Sequence, residues 1–166
     1  MRTAKISAVL AAAAFIAAAG TPTASADSLD YCWLNAATNQ SKCFATEAEL
    51  VQSVAAKQNA TFGTQAGVSP MAEHLVAQLY KDLNYGGGYL QIFDTEACKK
   101  GTIDGKNLPS SWDNKVSSFK VYGGCTVKLW EDKNYGGAST GWVGSMKYVG
   151  NALNDQISSI QWQKSV

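Results

Sequence analysis

Apolar residues are distributed along this chain in three different ways, and the changes between them mark its parts. From Ala8 to Ala19 they run unbroken. From Ala48 to Ala55 they recur at helical spacing, as Ala48, Leu50, Val51, Val54 and Ala55. Elsewhere they form short β-rich runs between clusters of Gly, Asn, Asp and Ser, as in Tyr31–Asn35, Lys42–Ala45, Phe119–Tyr122 and Ile160–Trp162. The predicted organisation is an export segment over 1–26, a hairpin plus helix over 27–58, a linker over 59–75 and an all-β domain over 76–166.

Arg2 and Lys5 precede the first apolar run, and Ala24-Ser25-Ala26 supplies a small-x-small cleavage site after Ala26. The run is too short to span a bilayer and no later one replaces it, so a secreted chain beginning at Asp27 is expected. Cleavage leaves twelve basic residues against 13 acidic ones, near neutrality, which excludes an electrostatic footprint for nucleic acid or an anionic membrane. In an exported chain, Cys32, Cys43, Cys98 and Cys125 predict two disulfides. Three pairings are possible. Cys32–Cys43 and Cys98–Cys125 are favoured, because each stays within one predicted unit.

Within 27–58, two short strands flank the polar turn 36–41, and Thr46 stands three residues before Glu49, the spacing of a helix capping box. The helix is predicted to about Lys57. A hairpin and one helix cannot bury a core alone, so this appendage must pack on the β domain. Residues 71–77 fit either a helical turn or the lead-in to a strand. Gln58 to Pro70 carries no consistent period.

The β domain says everything twice. Leu79-Tyr80-Lys81-Asp82-Leu83-Asn84-Tyr85-Gly86-Gly87 returns as Leu129-Trp130-Glu131-Asp132-Lys133-Asn134-Tyr135-Gly136-Gly137. Asp113-Asn114-Lys115-Val116-Ser117-Ser118 returns as Asn154-Asp155-Gln156-Ile157-Ser158-Ser159. The first phrase predicts a folded-over hairpin, with an aromatic ring packed on the turn and glycine taking positive φ. The second is dense in carboxylate, amide and hydroxyl oxygens and holds no soft ligand, which is the donor chemistry of a calcium site. Between the two phrases of the first unit, residues 94–112 are predicted as a surface loop tied down by the Cys98–Cys125 disulfide.

The aromatic-x-x-x-x-aromatic-x-Gly phrase followed by a Ser resembles the Greek-key signature of the βγ-crystallins. It stands here as Tyr80…Tyr85-Gly86-Gly87 with Ser117, and Trp130…Tyr135-Gly136-Gly137 with Ser158. The resemblance covers about 76–163 and implies two Greek keys, about 76–123 and 125–163, forming one sandwich. It also implies that Asn/Asp-Asn/Asp-x-x-Ser/Thr-Ser is the calcium motif of the microbial members. On that resemblance the two stretches cross over. The Lys115 carbonyl and Ser117 hydroxyl would serve one ion with an Asn154 or Asp155 side chain. The Gln156 carbonyl and Ser158 hydroxyl would serve the other with Asp113 or Asn114. Backbone carbonyls near Lys81 and Glu131 would join them. Few carboxylates per site imply a modest Kd, about 10⁻⁶ to 10⁻³ M.

No enzyme is expected. His74 is the sole histidine, Asp82 and Asp132 recur as turn residues, and no glycine-rich phosphate loop precedes a helix. The expected function is that of a monomeric, secreted, Ca²⁺-stabilised structural or protective protein. Two alternatives share the implied fold. A protease inhibitor would act on an extracellular protease through 94–112. An antimicrobial killer-toxin-like protein would act on a competitor's cell surface.

Overall fold

The computed structural model describes residues 29–62 (backbone alone from 58), 73–96 and 98–165. The expected export segment and most of the expected linker lie outside the described residues. Strands β1 (Tyr31–Asn35) and β2 (Gln40–Phe44) form the expected hairpin, with Cys32 opposite Cys43 and joined to it. Its turn is held by Asn35 Oδ1, which accepts the Thr38 N–H at 2.8 Å. Helix α1 (Glu47–Phe62) starts on the predicted box: Glu49 N–H donates to Thr46 Oγ1 at 3.3 Å and Thr46 N–H to Glu49 Oε2 at 3.1 Å. The helix runs past Lys57, because Gln58, Asn59 and Thr61 end the apolar period without breaking the backbone ladder.

Six further strands make the domain: β3 (His74–Tyr80), β4 (Tyr89–Asp94), β5 (Asp104–Asn107), β6 (Ser118–Val121), β7 (Cys125–Trp130) and β8 (Ser159–Lys164). His74 thus opens a strand, which resolves the ambiguity over 71–77 for its described part. The sheets order as β2-β1-β4-β3-β6 and β5-β8-β7. β5 belongs to the first repeat yet pairs with β8 of the second, Asp104 opposite Trp162. Conversely, Met146 of the second repeat bridges to Phe119 on β6 of the first. Each repeat therefore lends a piece of backbone to the other's sheet, and the result is a crystallin-like double Greek key.

That exchange corrects the expectation of a surface loop over 94–112. Asp104-Gly105-Lys106-Asn107 has no apolar alternation, so its side chains cannot mark a strand. Its place is set by main-chain pairing with β8. Further on, Leu108 and Trp112 are buried in the core. The Cys98–Cys125 disulfide does tie the start of this segment to β7, as expected.

Strand alternation divides the core in two. Cys32, Leu34, Leu79, Leu90 and Ile92 point between the sheets toward Phe119, Leu129, Ile160 and Trp162. On the outer face, Trp33, Tyr80, Tyr89 and Phe93 gather around Leu50 of α1. Leu50 is fully buried, worth roughly 1.5–3 kcal/mol. Tyr89 also donates its hydroxyl to Glu47 Oε1 at 3.0 Å. The appendage thus has two attachments: β1 pairs parallel with β4, Tyr31 opposite Tyr89, and α1 roofs the outer face. Gly88 marks the close approach. A Cβ there would stand 2.3 Å from Asp30, while the second repeat, which carries no appendage, has Ala138 at the corresponding place.

Candidate metal centre

Each repeated aromatic phrase folds into an arch. Its turn, Leu83–Tyr85 or Lys133–Tyr135, places an asparagine at φ 56° and a tyrosine at φ 66°. Asn tolerates this left-handed region, but an aromatic residue is strained there. The positive-φ glycines are Gly87 and Gly137, the second of each pair, while Gly86 and Gly136 are extended. In the first arch Tyr80 and Tyr85 pack with ring centroids 5.6 Å apart, the ring-on-turn contact expected from the sequence.

Buried serines hold the strained turns in place. Ser118 Oγ accepts the Tyr85 N–H at 3.0 Å and donates to the Asp82 carbonyl at 2.6 Å. Ser159 does the same for Tyr135 at 3.1 Å and Asp132 at 2.6 Å. These are the second serines of each Ser-Ser pair. Read from the sequence, the signature attached to Ser117 and Ser158 and passed them over, although Ser-Ser stood in both copies as a signal. Replacing Ser118 or Ser159 by Ala leaves a buried N–H and a carbonyl unsatisfied, and should cost about 1–3 kcal/mol each. Urea melts of the two variants check this, and a loss indistinguishable from zero would refute the role.

Ser117 and Ser158 face the other way, toward the crossing. Asn114 N–H donates to the Ile157 carbonyl at 3.0 Å and Asp155 N–H to the Val116 carbonyl at 3.2 Å, so the two stretches lie against each other about a local two-fold. Asn114 and Asp155 both hold positive φ, at 58° and 56°. Their side chains reach across: Ser117 Oγ lies 3.5 Å from Asp155 Oδ1, and Ser158 Oγ lies 3.3 Å from Asn114 Oδ1. The second member of each Asn/Asp pair therefore faces the serine of the opposite stretch.

The first members, Asp113 and Asn154, are half-buried. Asn154 Nδ2 braces the Asp155 carboxylate at 2.7 Å. Both Asp113 Oδ1 and Asn154 Oδ1 are buried without a hydrogen-bond partner. Two orphaned oxygens at corresponding places are what a missing cation would leave, and the hard-oxygen donor set fits calcium. Among the described residues no three His, Cys, Asp or Glu side chains cluster as a metal site, so main-chain carbonyls and hydroxyls would have to complete it. The Ser158 hydroxyl beside Asp113, together with the Lys133 ammonium, holds that carboxyl below the usual carboxylate range against the opposing effect of burial.

The arches supply the rest. A cleft lined by Lys81, Asp82, Leu83, Ser117, Tyr148, Asn154 and Asp155 opens at the first crossing. The Lys81 ammonium is engaged by Asp30 of the appendage and stands 5.5 Å from the Trp112 ring. At the second arch, Glu131 Oε2 accepts the Ala138 N–H at 3.1 Å. Lys115 and Gln156 are exposed, so their side chains are free of the crossing and only their carbonyls are asked for.

Residues 79–141 match the model of peptidase inhibitor family I36, a span that includes both arches and the first Asn/Asp stretch but ends before the second. No curated protein matches the chain. Among solved structures, a βγ-crystallin domain from Flavobacterium johnsoniae is 30% identical, with 54% of this chain and 96% of that one covered and a TM-score of 0.41. One from Clostridium beijerinckii is 24% identical, with 54% and 99% covered and a TM-score of 0.43.

Proposed function

We propose that this chain, a βγ-crystallin-like double Greek key, binds calcium at the crossing of its two Asn/Asp stretches and is stabilised by it outside the cell. The observation that carries the proposal is the paired one: the same hydroxyl-to-amide or hydroxyl-to-carboxylate crossing, with the same orphaned oxygen, occurs in both repeats. Ser117, Asp155 and the Lys115 and Lys81 carbonyls would hold one ion. Ser158, Asn114 and the Gln156 and Glu131 carbonyls would hold the other, with the unpartnered Asn154 Oδ1 offered to the first ion and Asp113 Oδ1 to the second. The metal supplies charge neutralisation between facing oxygens, and the chain supplies rigid placement of those oxygens. Two disulfides suit the same oxidising setting. Calorimetric titration of EDTA-stripped mature protein should show saturable binding with a Kd between about 10⁻⁶ and 10⁻³ M, lost when Ser117 and Ser158 are both changed to Arg. Flat heats in the unmodified protein would leave the stretches as turns.

The family match supports a second activity on the same scaffold, inhibition of an extracellular peptidase. Its candidate surface is the segment from Cys98 to Ile103, tethered by disulfide to β7, with Lys99, Lys100 and Ile103 exposed. Inhibition of a secreted peptidase should vanish in a Lys99→Ala, Lys100→Ala, Ile103→Ala variant whose calcium binding is unchanged. Equal inhibition by that variant would move the contact elsewhere.

A further inference from the structure

The two crossings differ in a way the shared motif conceals. Lys133 occupies the place in the second arch that Leu83 occupies in the first. Its Nζ lies 3.0 Å from Asp113 Oδ2. The residues corresponding to this ion pair at the first crossing are Leu83 and Asn154, both uncharged and both lining the open cleft there. Lys81, the other amine near the first crossing, is drawn off by Asp30. The facing donors differ in the same sense: Asp155 brings a carboxylate toward Ser117, whereas Asn114 brings only an amide toward Ser158.

Resting on the calcium reading, we propose that Lys133 is a built-in cation competing with the metal, so that the two sites fill unequally and the first fills first. Asp82 and Asp132 recur at the two arches, and Glu131 at the second is engaged by the Ala138 N–H. Among the crossing side chains of the described residues, Asp155 has no ammonium against it, whereas Asp113 is already held by one. A dication approaching the second site must displace that ammonium from Asp113 and still feel its repulsion. The pair is partly exposed, at 52% for Lys133 and 23% for Asp113, so water screens it and the lysine can swing out. The second site is therefore weakened but kept available at higher calcium. The chain would respond to calcium in two steps.

Amide-resolved NMR titration of the full mature protein with calcium chloride, after EDTA stripping, reads each site separately. Shifts at Ser117 and Asp155 should reach half-saturation at about tenfold lower calcium than those at Asn114 and Ser158. Lys133→Leu, the residue of the first arch, should tighten the second site several-fold and leave the first unchanged. Leu83→Lys, an exposed substitution that carries the test should the other variant fail to fold, should weaken the first site. Equal midpoints in the unmodified protein, or midpoints unmoved by both variants, overturn the inference while the calcium reading stands. No calcium-dependent shift at either stretch overturns both.

Discussion

Millimolar calcium should raise the melting midpoint of the EDTA-stripped, disulfide-bonded chain by roughly 5–10 °C. The figure comes from linkage: one site at a hundred times its Kd adds about 2.7 kcal/mol, and a chain of this size gains a few degrees per kcal/mol. The rise should saturate with calcium and fail to appear with magnesium at equal concentration, because magnesium demands tighter octahedral geometry and gives up its water reluctantly. Changing Ser117 and Ser158 together to Arg should abolish it, since each guanidinium would enter a crossing and replace the hydroxyl. Because Ser117 and Ser158 are buried, the doubly substituted protein should melt lower in EDTA, and the readout is the missing calcium-dependent rise within that variant. A midpoint that ignores calcium would reduce the paired stretches to turns, with the Greek keys intact and the tethered Cys98–Ile103 segment left as the functional candidate.

Trp112→Ala should be the most damaging single substitution away from the metal, costing about 3–5 kcal/mol. Trp112 is fully buried, and its indole N–H donates to Cys32 Sγ at 3.0 Å. One ring therefore joins the appendage, the residues just ahead of the first Asn/Asp stretch, and the Lys81 side chain of the first arch. The loss should be partial in Trp112→Phe, which keeps much of the volume. Hydrogen exchange supplies the second readout: amides of β1 should lose protection along with those of β4 if the appendage is part of the domain's core. Protection lost in β1 alone would make the appendage an independent attachment.

What could be read from the chain was what repeats. Two copies of an oxygen-dense phrase and two of an aromatic-glycine phrase named the arches and the crossing, and the disulfides came from keeping each pair within a unit. The capping box at Thr46 and Glu49 was legible because its chemistry is local. What escaped was set by backbone rather than by side-chain pattern. β5 is a strand because β8 needs a neighbour, and nothing in Asp104-Gly105-Lys106-Asn107 announces that. The parallel pairing of β1 with β4 joins residues that no local signal connects, although Gly88, the third glycine of its run, was the trace it left. Ser118 and Ser159 were hidden because two adjacent serines share one place in the motif while facing opposite directions, one into the arch and one into the crossing.

The last strand sits in the middle of its sheet. β8 lies between β5 and β7, so β5 has no strand partner until residues 159–164 are in place, while β7 is already bridged along its other edge to Ser139 and Val143. β5 must wait across about fifty residues of intervening chain for its hydrogen bonds. Topologies of this kind fold slowly, because loop closure is costly long before the pairing compensates. With β8 undocked, the five-stranded sheet would stand nearly assembled while the second stayed open. Docking of β8 is the event that shuts the sandwich.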